Sequence, residues 1–306
     1  MKKQVYINAS SLKYSMCPLS WKRTIIEGHY EGTSSCKIVY GQAVHKFIDT
    51  MYRTQDLVAA REAALLEFNV PKYDDRKSPH MSDDKHLLNT CFDIWHNYVM
   101  QPDEQFELLT LPSGKPAVEV TFSVPYYEDD IIEVSLCGTI DKIGKFKNGM
   151  FAIGDWKTTS NYDPARYLDS YRMSPQLRFY RLALTVMGRQ HPDSMLGSIG
   201  NNPVGCFIDG VFLKPKSIDN KVIRSEVFQY KDMVQFEEAL HGKIVELSGY
   251  IWKDNFPKTG IVNGACEQKF GKCAFYNACS VSDNKISDLI LKRDFKQRFY
   301  DPLNRK

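Results

Sequence analysis

Two acidic residues near the middle of the chain constrain its fold more than any other feature. Residues 137–157, CGTIDKIGKFKNGMFAIGDWK, read as two β-strands joined by a tight turn, with Asp141 on the first strand and Asp155 on the second. A three-residue turn ending on a left-handed Gly149 places Asp141 directly opposite Asp155, with Cβ atoms about 4.5–5.5 Å apart. Lys157 then points to the same face as Asp155. A two-residue turn would separate the carboxylates, so we predict the longer one.

Facing carboxylates in apolar strands predict a metal site. Like charges this close repel each other unless a cation lies between them, and a lone buried charge is costly. Carboxylate oxygens are typical ligands of Mg²⁺ or Mn²⁺. Such a metal would polarise a phosphate oxygen and acidify a bound water, while Lys157 would orient that water or stabilise charge. The competing interpretation is a surface hairpin with a routine Asp155–Lys157 ion pair.

Composition indicates a globular protein without a membrane span. The chain has 306 residues, 43% hydrophobic and 25% charged, with a formal net charge of +3. No segment approaches the ~18 consecutive apolar residues of a transmembrane helix, and the first residues lack a secretory signal. We therefore expect a cytoplasmic protein, or one in the host cytoplasm if it is viral. Its eight cysteines then favour thiols or metal ligands over disulfides.

Hydrophobic periodicity predicts a mixed sheet with helices packed on it. Helical patterns cover residues 41–68, 85–100, 175–187, 231–252 and 282–306, and alternating patterns cover 117–124, 131–139, 204–213 and 221–228. A further helix is expected to begin near Ser10. This order of elements is typical of an α/β fold.

Four short motifs stand in order along the chain. They are GQAVH ending at His45, GTIDKI with Asp141, GDWKTT with Asp155 and Lys157, and QLRFY from Gln176 to Tyr180. Together they resemble the nuclease domains of the RecB and AddB type, within the PD-(D/E)XK superfamily. One such motif would be weak, but four in this order are specific.

The resemblance implies a fold and a domain plan. The fold is a restriction-endonuclease-like mixed β-sheet flanked by helices, in a single nuclease domain over residues 1–280. Residues from about 46 to 112 would form a helical insertion. Residues 281–306 would form a basic C-terminal helix or tail.

The resemblance also implies roles for the motif residues. The metal ligands would be His45, Asp141, Asp155 and the main-chain carbonyl of Trp156, and the catalytic lysine would be Lys157. Gln176 and Tyr180, one helical turn apart on one face, would approach the active site or the DNA backbone. Glu119 falls where related nucleases often carry an acid, and an outward-facing strand glutamate is an equal alternative.

Four cysteines form a second candidate metal site. Cys17 precedes a proline near the start, and Cys266, Cys273 and Cys279 lie near the end. Some RecB/AddB-type nucleases, and CRISPR-associated exonucleases similar to them, hold a [4Fe-4S] cluster in this way, with two residues rather than six between the first two C-terminal cysteines. The resemblance therefore implies a cluster. Structural Zn²⁺ is the alternative. Cys91, Cys137 and Cys206, in apolar runs, are expected to be free buried thiols.

The function that follows from this resemblance is a metal-dependent DNA exonuclease, acting on DNA ends or single strands with Mg²⁺ or Mn²⁺. A helicase or recombination protein would be its partner. Flanking positions along the DNA are expected for Lys22, Arg23, Arg166, Arg172, Arg178 and Arg181. Two alternatives are a non-catalytic scaffold that binds DNA or a helicase, and a structure-selective endonuclease. The oligomeric state is not decided by the sequence.

Overall fold

The fold is given by a computed structural model over seven stretches of the chain. It describes residues 2–31, 36–69, 81–101, 103–159, 163–212, 222–268 and 271–299. They belong to two compact units, the first of Met1–Gly32, Thr121–Gly138 and Lys231–Lys306, and the second of Thr33–Val120 and Thr139–Tyr230. The single domain over residues 1–280 stays a prediction. None of the helices within these stretches is both long and apolar enough to cross a membrane.

A mixed sheet of seven strands dominates the fold, as predicted. The strands of the described chain are β1 (Lys3–Ile7), β2 (His29–Glu31), β3 (Phe106–Leu108), β4 (Val118–Glu128), β5 (Ile132–Phe146), β6 (Phe151–Thr159), β7 (Val204–Phe212), β8 (Val222–Arg224), β9 (Glu267–Gln268), β10 (Gly271–Lys272) and β11 (Phe295–Gln297). In the large sheet β5 pairs with β1, β3, β4 and β6, while β7 joins β6 to β8. The β1–β5 and β6–β7 pairs are parallel, and β5–β6 and β7–β8 are antiparallel.

Helices occupy most of the predicted helical stretches. They are α1 (Pro18–Trp21), α2 (Cys36–Thr54), α3 (Leu57–Asn69), α4 (Met81–Met100), α5 (Pro164–Asp169), α6 (Pro175–Gln190), α7 (Met195–Gly200), α8 (Met233–Trp252), α9 (Gly260–Asn263), α10 (Tyr276–Ser280) and α11 (Asn284–Asp294). The stretch predicted as an insertion, 46–112, holds the last nine residues of α2, all of α3 and α4, and β3. Ser174 caps α6 by accepting from the Leu177 amide, which confirms the predicted start of that helix.

Both ends of the described chain differ from the expected long helices. Instead of one helix from Ser10, a 3₁₀ segment covers Ala9–Met16 and is followed by the short α1. The break lies at Cys17, which is extended with φ −135°, because a following proline disfavours the helical conformation. At the other end, α11 stops at Asp294, and β11 pairs antiparallel with β2.

The core of the second unit anchors β6 from one side. Trp156 is 1% exposed and stacks on Tyr52 with ring centroids 5.9 Å apart, and its ring lies 6.4 Å from that of Trp95. Because side chains alternate along a strand, this packing directs Asp155 and Lys157 to the other face of β6. Truncating such a buried aromatic ring costs about 3–5 kcal/mol.

Candidate active site

The turn between β5 and β6 has the predicted length. The Phe146 amide donates to the Met150 carbonyl oxygen at 2.8 Å. Gly149 has φ +88°, in the left-handed region that favours glycine. The three-residue turn is therefore confirmed.

This turn sets the register of the two strands. Lys142 lies opposite Gly154, and continuing by one pair places Asp141 opposite Asp155. The two carboxylates are buried, with 5% and 2% of each residue exposed. Asp141 is tied to β6 because its Oδ2 accepts from the Trp156 amide at 2.7 Å. Two acids thus lie side by side in the interior.

His45 approaches the acids from α2. Its Nδ1 lies 3.2 Å from Glu119 Oε1 and 3.6 Å from Asp141 Oδ1. Among the described residues, these three supply the one group of three or more His, Cys, Asp or Glu ligand atoms lying within 4.8 Å of one another. Burial alone would lower the pKa of His45, but Asp141 and Glu119 raise it to about 9. In the metal-free protein a proton thus occupies the place that a divalent ion would take.

The direction of the Glu119 side chain, which the sequence left open, is inward. Its backbone is in the left-handed region, with φ +47°. Such a conformation costs about 1–3 kcal/mol for a residue with a side chain, and it is concentrated at functional sites. Here it accompanies a carboxylate that reaches His45 rather than pointing outward.

The Trp156 carbonyl, predicted as a metal ligand, lies 3.2 Å from His45 Nε2. In this arrangement Nε2–H donates to the carbonyl, which leaves Nδ1 to bind a metal. A hydrogen bond from the second ring nitrogen commonly orients a metal-binding histidine. Whether the carbonyl itself binds a metal stays a prediction.

Asp155 is connected to the predicted catalytic lysine and to α6. It forms an ion pair with Lys157, and Gln176 Nε2 donates to its Oδ1 at 3.0 Å. Gln176 also contacts the Tyr180 hydroxyl at 3.1 Å and accepts from Lys157 Nζ at 3.4 Å. Gln176 therefore joins the aspartate, the lysine and the tyrosine in one network.

The charge of Asp155 is incompletely compensated. Burial raises its pKa, Lys157 lowers it and Asp141 raises it again, to about 6. Its Oδ2 is paired with the Lys157 ammonium, yet the pKa stays raised because burial and Asp141 act against that pair. A further positive charge beside the two aspartates would stabilise their ionised forms. The site therefore fits a divalent metal ion.

Two tyrosines beside Lys157 were not predicted. The ring of Tyr171 lies 5.9 Å from Lys157 Nζ, and the hydroxyls of Tyr167 and Tyr171 are 2.9 Å apart. Burial raises the pKa of Tyr171, so its hydroxyl is neutral at physiological pH. The residues come from α5 and the 3₁₀ turn after it, where no sequence pattern marks them.

Three of the arginines predicted to flank DNA are engaged with their own chain. Arg178 is 5% exposed, and its guanidinium lies 4.1 Å from the ring centre of Tyr230. Arg181 donates to the Tyr230 carbonyl at 2.7 Å, and Arg172 pairs with Glu226. The predictions that Arg178 and Arg23 flank DNA are wrong, because both side chains are buried.

The four predicted cluster cysteines meet in the first unit. Cys266 and Cys17 lie against Gly260, where an added Cβ would be 3.1 Å from Cys266 Sγ and 3.5 Å from Cys17 Cβ. The Cys273 amide donates to the Cys266 carbonyl at 2.9 Å. Burial raises the pKa of the Cys266 thiol, and Cys273, Cys17 and Cys279 raise it further. All four side chains therefore surround a common region.

The spacing of these thiols bears on what they could hold. A zinc ion with Zn–S bonds of about 2.3 Å brings its thiolates to about 3.8 Å from one another. No three of the described thiols lie mutually within 4.8 Å. Four cysteine thiols around one region are a ligand set that both a zinc ion and a [4Fe-4S] cluster use. Cys91, Cys137 and Cys206 are buried cysteines outside any disulfide, as predicted.

Comparison with known proteins finds one family model and two solved structures that are similar to this chain. A model of the PD-(D/E)XK nuclease superfamily matches residues 7–280, a range that includes all the residues of both sites. No curated protein sequence matches the chain. A candidate exonuclease from Eubacterium rectale has a similar crystal structure, with TM-score 0.43 and 14% identity over 91% of this chain and 88% of that protein. The protein SSO0001 is similar with TM-score 0.27 and 11% identity over 68% of this chain and 84% of that one.

Proposed function

Because this chain belongs to the PD-(D/E)XK nuclease superfamily, we propose that it is a metal-dependent DNA exonuclease of the RecB and AddB type. One observation carries the assignment to this site. The β5–β6 register buries Asp141 beside Asp155, within reach of His45 and Lys157. The choice of DNA ends or single strands as substrate comes from the motif resemblance.

The metal would be held by the acids and the histidine. His45, Glu119 and Asp141 supply converging ligand atoms, and Asp155 is proposed as a further oxygen ligand. This hard, mostly oxygen donor set suits Mg²⁺ or Mn²⁺. A bound ion of this kind polarises a phosphate oxygen and lowers the pKa of a bound water.

Lys157 adds a positive side-chain charge to the site, beside that of the metal ion. Burial lowers its pKa, but Asp155 and Asp141 outweigh burial and raise it, so the ammonium stays protonated at neutral pH. It is positioned to orient the attacking water or to stabilise the negative charge that develops on the phosphate. Gln176 holds both Lys157 and Asp155, and Tyr180 fixes Gln176.

For the four cysteines we propose a [4Fe-4S] cluster rather than zinc. The convergence of Cys17, Cys266, Cys273 and Cys279 supports a four-cysteine metal group, and the motif resemblance favours the cluster over zinc. Its role would be structural, because it would join the start of the first unit to its last helices. Anaerobic purification should then give a brown protein with a broad band near ~400 nm, whereas a colourless zinc protein would contradict the cluster.

The nuclease assignment is tested by digestion of end-labelled linear single-stranded and double-stranded DNA, with Mg²⁺, Mn²⁺ or EDTA. We expect metal-dependent shortening from the ends and no cleavage of circular single strands. Asp155→Asn should abolish it, and Asp193→Asn, at an exposed position, is the matched control. Cleaved circles would indicate an endonuclease. Absence of any cleavage by pure, metal-loaded protein would contradict the enzyme.

A further inference from the structure

Arg23 is a buried guanidinium with a cysteine sulfur as its closest hydrogen-bond partner. The residue is 7% exposed. Its Nη1 donates to Cys279 Sγ at 3.0 Å, and its Nη2 donates to Ser287 Oγ at 3.2 Å. The guanidinium also faces the ring of Phe275, 5.6 Å from its centre. The side chain is thus held by three contacts inside the first unit.

The charge of Arg23 lacks an acidic partner among the residues that the structure describes. The guanidinium contacts a sulfur, a hydroxyl and a ring, whereas the adjacent Lys22 pairs with both Glu27 and Asp254. Burying an uncompensated guanidinium is costly, since removal of a charge from water must be offset by a counter-charge. A neutral thiol does not supply that counter-charge. A thiolate bound to a metal group does.

We infer that Arg23 is the counter-ion of the metal group held by the four cysteines, donating a charged hydrogen bond to the Cys279 thiolate. This inference rests on the metal site put forward under the proposed function. Four thiolates carry more negative charge than the two positive charges of a zinc ion, and a cluster bound by four cysteines is also an anion. Arg23 would therefore stabilise the assembled group and resist its loss.

Arginine suits this position better than lysine. Its planar fork reaches two acceptors at once, here the sulfur of Cys279 and the hydroxyl of Ser287. Ser287 Oγ in turn donates to the Ala278 carbonyl at 2.8 Å, next to Cys279 in the chain. The guanidinium and its target sulfur are thus held by the same short segment. Outer groups of this kind typically contribute about 10–100-fold to metal affinity.

The test compares Arg23→Met with Lys258→Met. Lys258 is an exposed cation whose Nζ donates to the main-chain oxygen of Cys279 at 3.3 Å, not to its sulfur. Both variants and the wild type are purified anaerobically, and metal content, absorbance and the rate of metal loss to a chelator are measured. We expect Arg23→Met to lose its metal about 10–100-fold faster, and Lys258→Met to show a smaller effect, because the Lys258 charge also acts on the Cys279 thiol but makes no hydrogen bond to its sulfur. If iron is present, the midpoint potential of Arg23→Met should shift to more negative values, because positive charge and N–H···S bonds favour the reduced group.

Two further variants keep the test decisive if Arg23→Met does not fold. Arg23→Lys retains the charge, and Arg23→Gln retains a donor without charge. The counter-ion role predicts slower metal loss in Arg23→Lys than in Arg23→Gln. Equal loss rates in all variants would overturn the inference while leaving the cluster in place. A wild type without metal at the four cysteines would overturn both the inference and the cluster, and the DNA digestion would still decide the nuclease assignment.

Discussion

Two buried charged clusters lie on strands β5 to β7, and they differ in how well their charges are balanced. In the first, Lys142 pairs with Asp209, which also accepts from Arg224 Nε at 2.8 Å and from the Tyr98 hydroxyl at 2.5 Å. Arg224 also pairs with Asp103 at 2.6 Å. Two acids thus meet two cations.

The aromatic surroundings of Lys142 complete that balance. Its ammonium lies 5.0 Å from the ring centre of Phe207 and 5.4 Å from those of Phe106 and Tyr98. Burial alone would raise the pKa of Asp209, but Lys142 and Arg224 lower it. The group is therefore ionised and paired at neutral pH. We interpret this cluster as a structural one.

The second cluster contains a surplus of negative charge. Three acids, Glu119, Asp141 and Asp155, face one lysine and one histidine, and burial raises the pKa of both aspartates. The comparison teaches that a balanced buried network supports the fold, whereas a buried surplus of one sign marks a place for a ligand of the opposite sign. Each cluster combines buried aspartate with half-buried partners, so burial alone would not distinguish them.

Substitutions in the two clusters should differ most in their effect on nuclease activity. Asp155→Asn should lower kcat/KM about 10³-fold, because it removes a proposed metal ligand and the partner of Lys157. Its thermal stability should be unchanged or higher than that of the wild type, since the surplus charge is reduced. Steady-state DNA digestion and thermal unfolding check this. A variant that is active, or inactive only because it is unfolded, would remove the distinction.

Asp209→Asn should lower stability and leave activity unchanged, the opposite of Asp155→Asn. It leaves the buried Lys142 without its counter-charge, while Arg224 keeps Asp103, so the free energy of unfolding should fall by about 3–5 kcal/mol. Activity per folded molecule should remain. Urea unfolding and active-site titration are the measurements. The double variant Lys142→Met with Asp209→Leu should recover much of the lost stability, and failure to recover would argue against a simple balanced pair.

The pH dependence of stability should have opposite signs at the two aspartates. Asp155 has a folded pKa of about 6, above its ordinary value near 4, so the metal-free folded protein binds this proton more tightly than the unfolded chain. The free energy of unfolding of the wild type should therefore decrease as the pH rises from about 4 to 6. Over the same range the stability of Asp155→Asn relative to the wild type should increase by up to about 3 kcal/mol.

The pKa of Asp209 is lowered, so its contribution is present above about pH 4 and is lost as the pH falls further. The deficit of Asp209→Asn should therefore shrink in acid. Urea unfolding in EDTA from pH 3 to 7 checks both trends. Parallel pH profiles for the two variants would contradict the difference in charge balance.

The smallest of these effects is expected for a substitution of Glu119, and it concerns metal affinity. Glu119→Gln keeps the shape of the side chain but removes its charge, so Mn²⁺ affinity should fall about tenfold with little change in unfolding. Calorimetric titration of Mn²⁺ measures the affinity, and Glu62→Gln, at an exposed position of α3, is the control. Unchanged affinity would restrict the metal site to His45 and the aspartates.

The hairpin was predictable because its geometry is local. The turn around Gly149 and the alternation of strand side chains are sufficient to place Asp141 opposite Asp155 and to turn Trp156 to the other face. The mixed sheet and most helices follow from hydrophobic periodicity. The tail helix was predicted too long, because pairing of β11 with β2 depends on a segment far away in the chain.

Local sequence therefore decides which residues share a face, and the order of motifs identifies the family. Only the folded chain decides which distant side chains meet: the left-handed backbone at Glu119, the tyrosines beside Lys157, and the hydrogen bond from Arg23 to Cys279. The physical reason is that backbone alternation acts over a few residues, whereas the balance of buried charge depends on every element packed around a site.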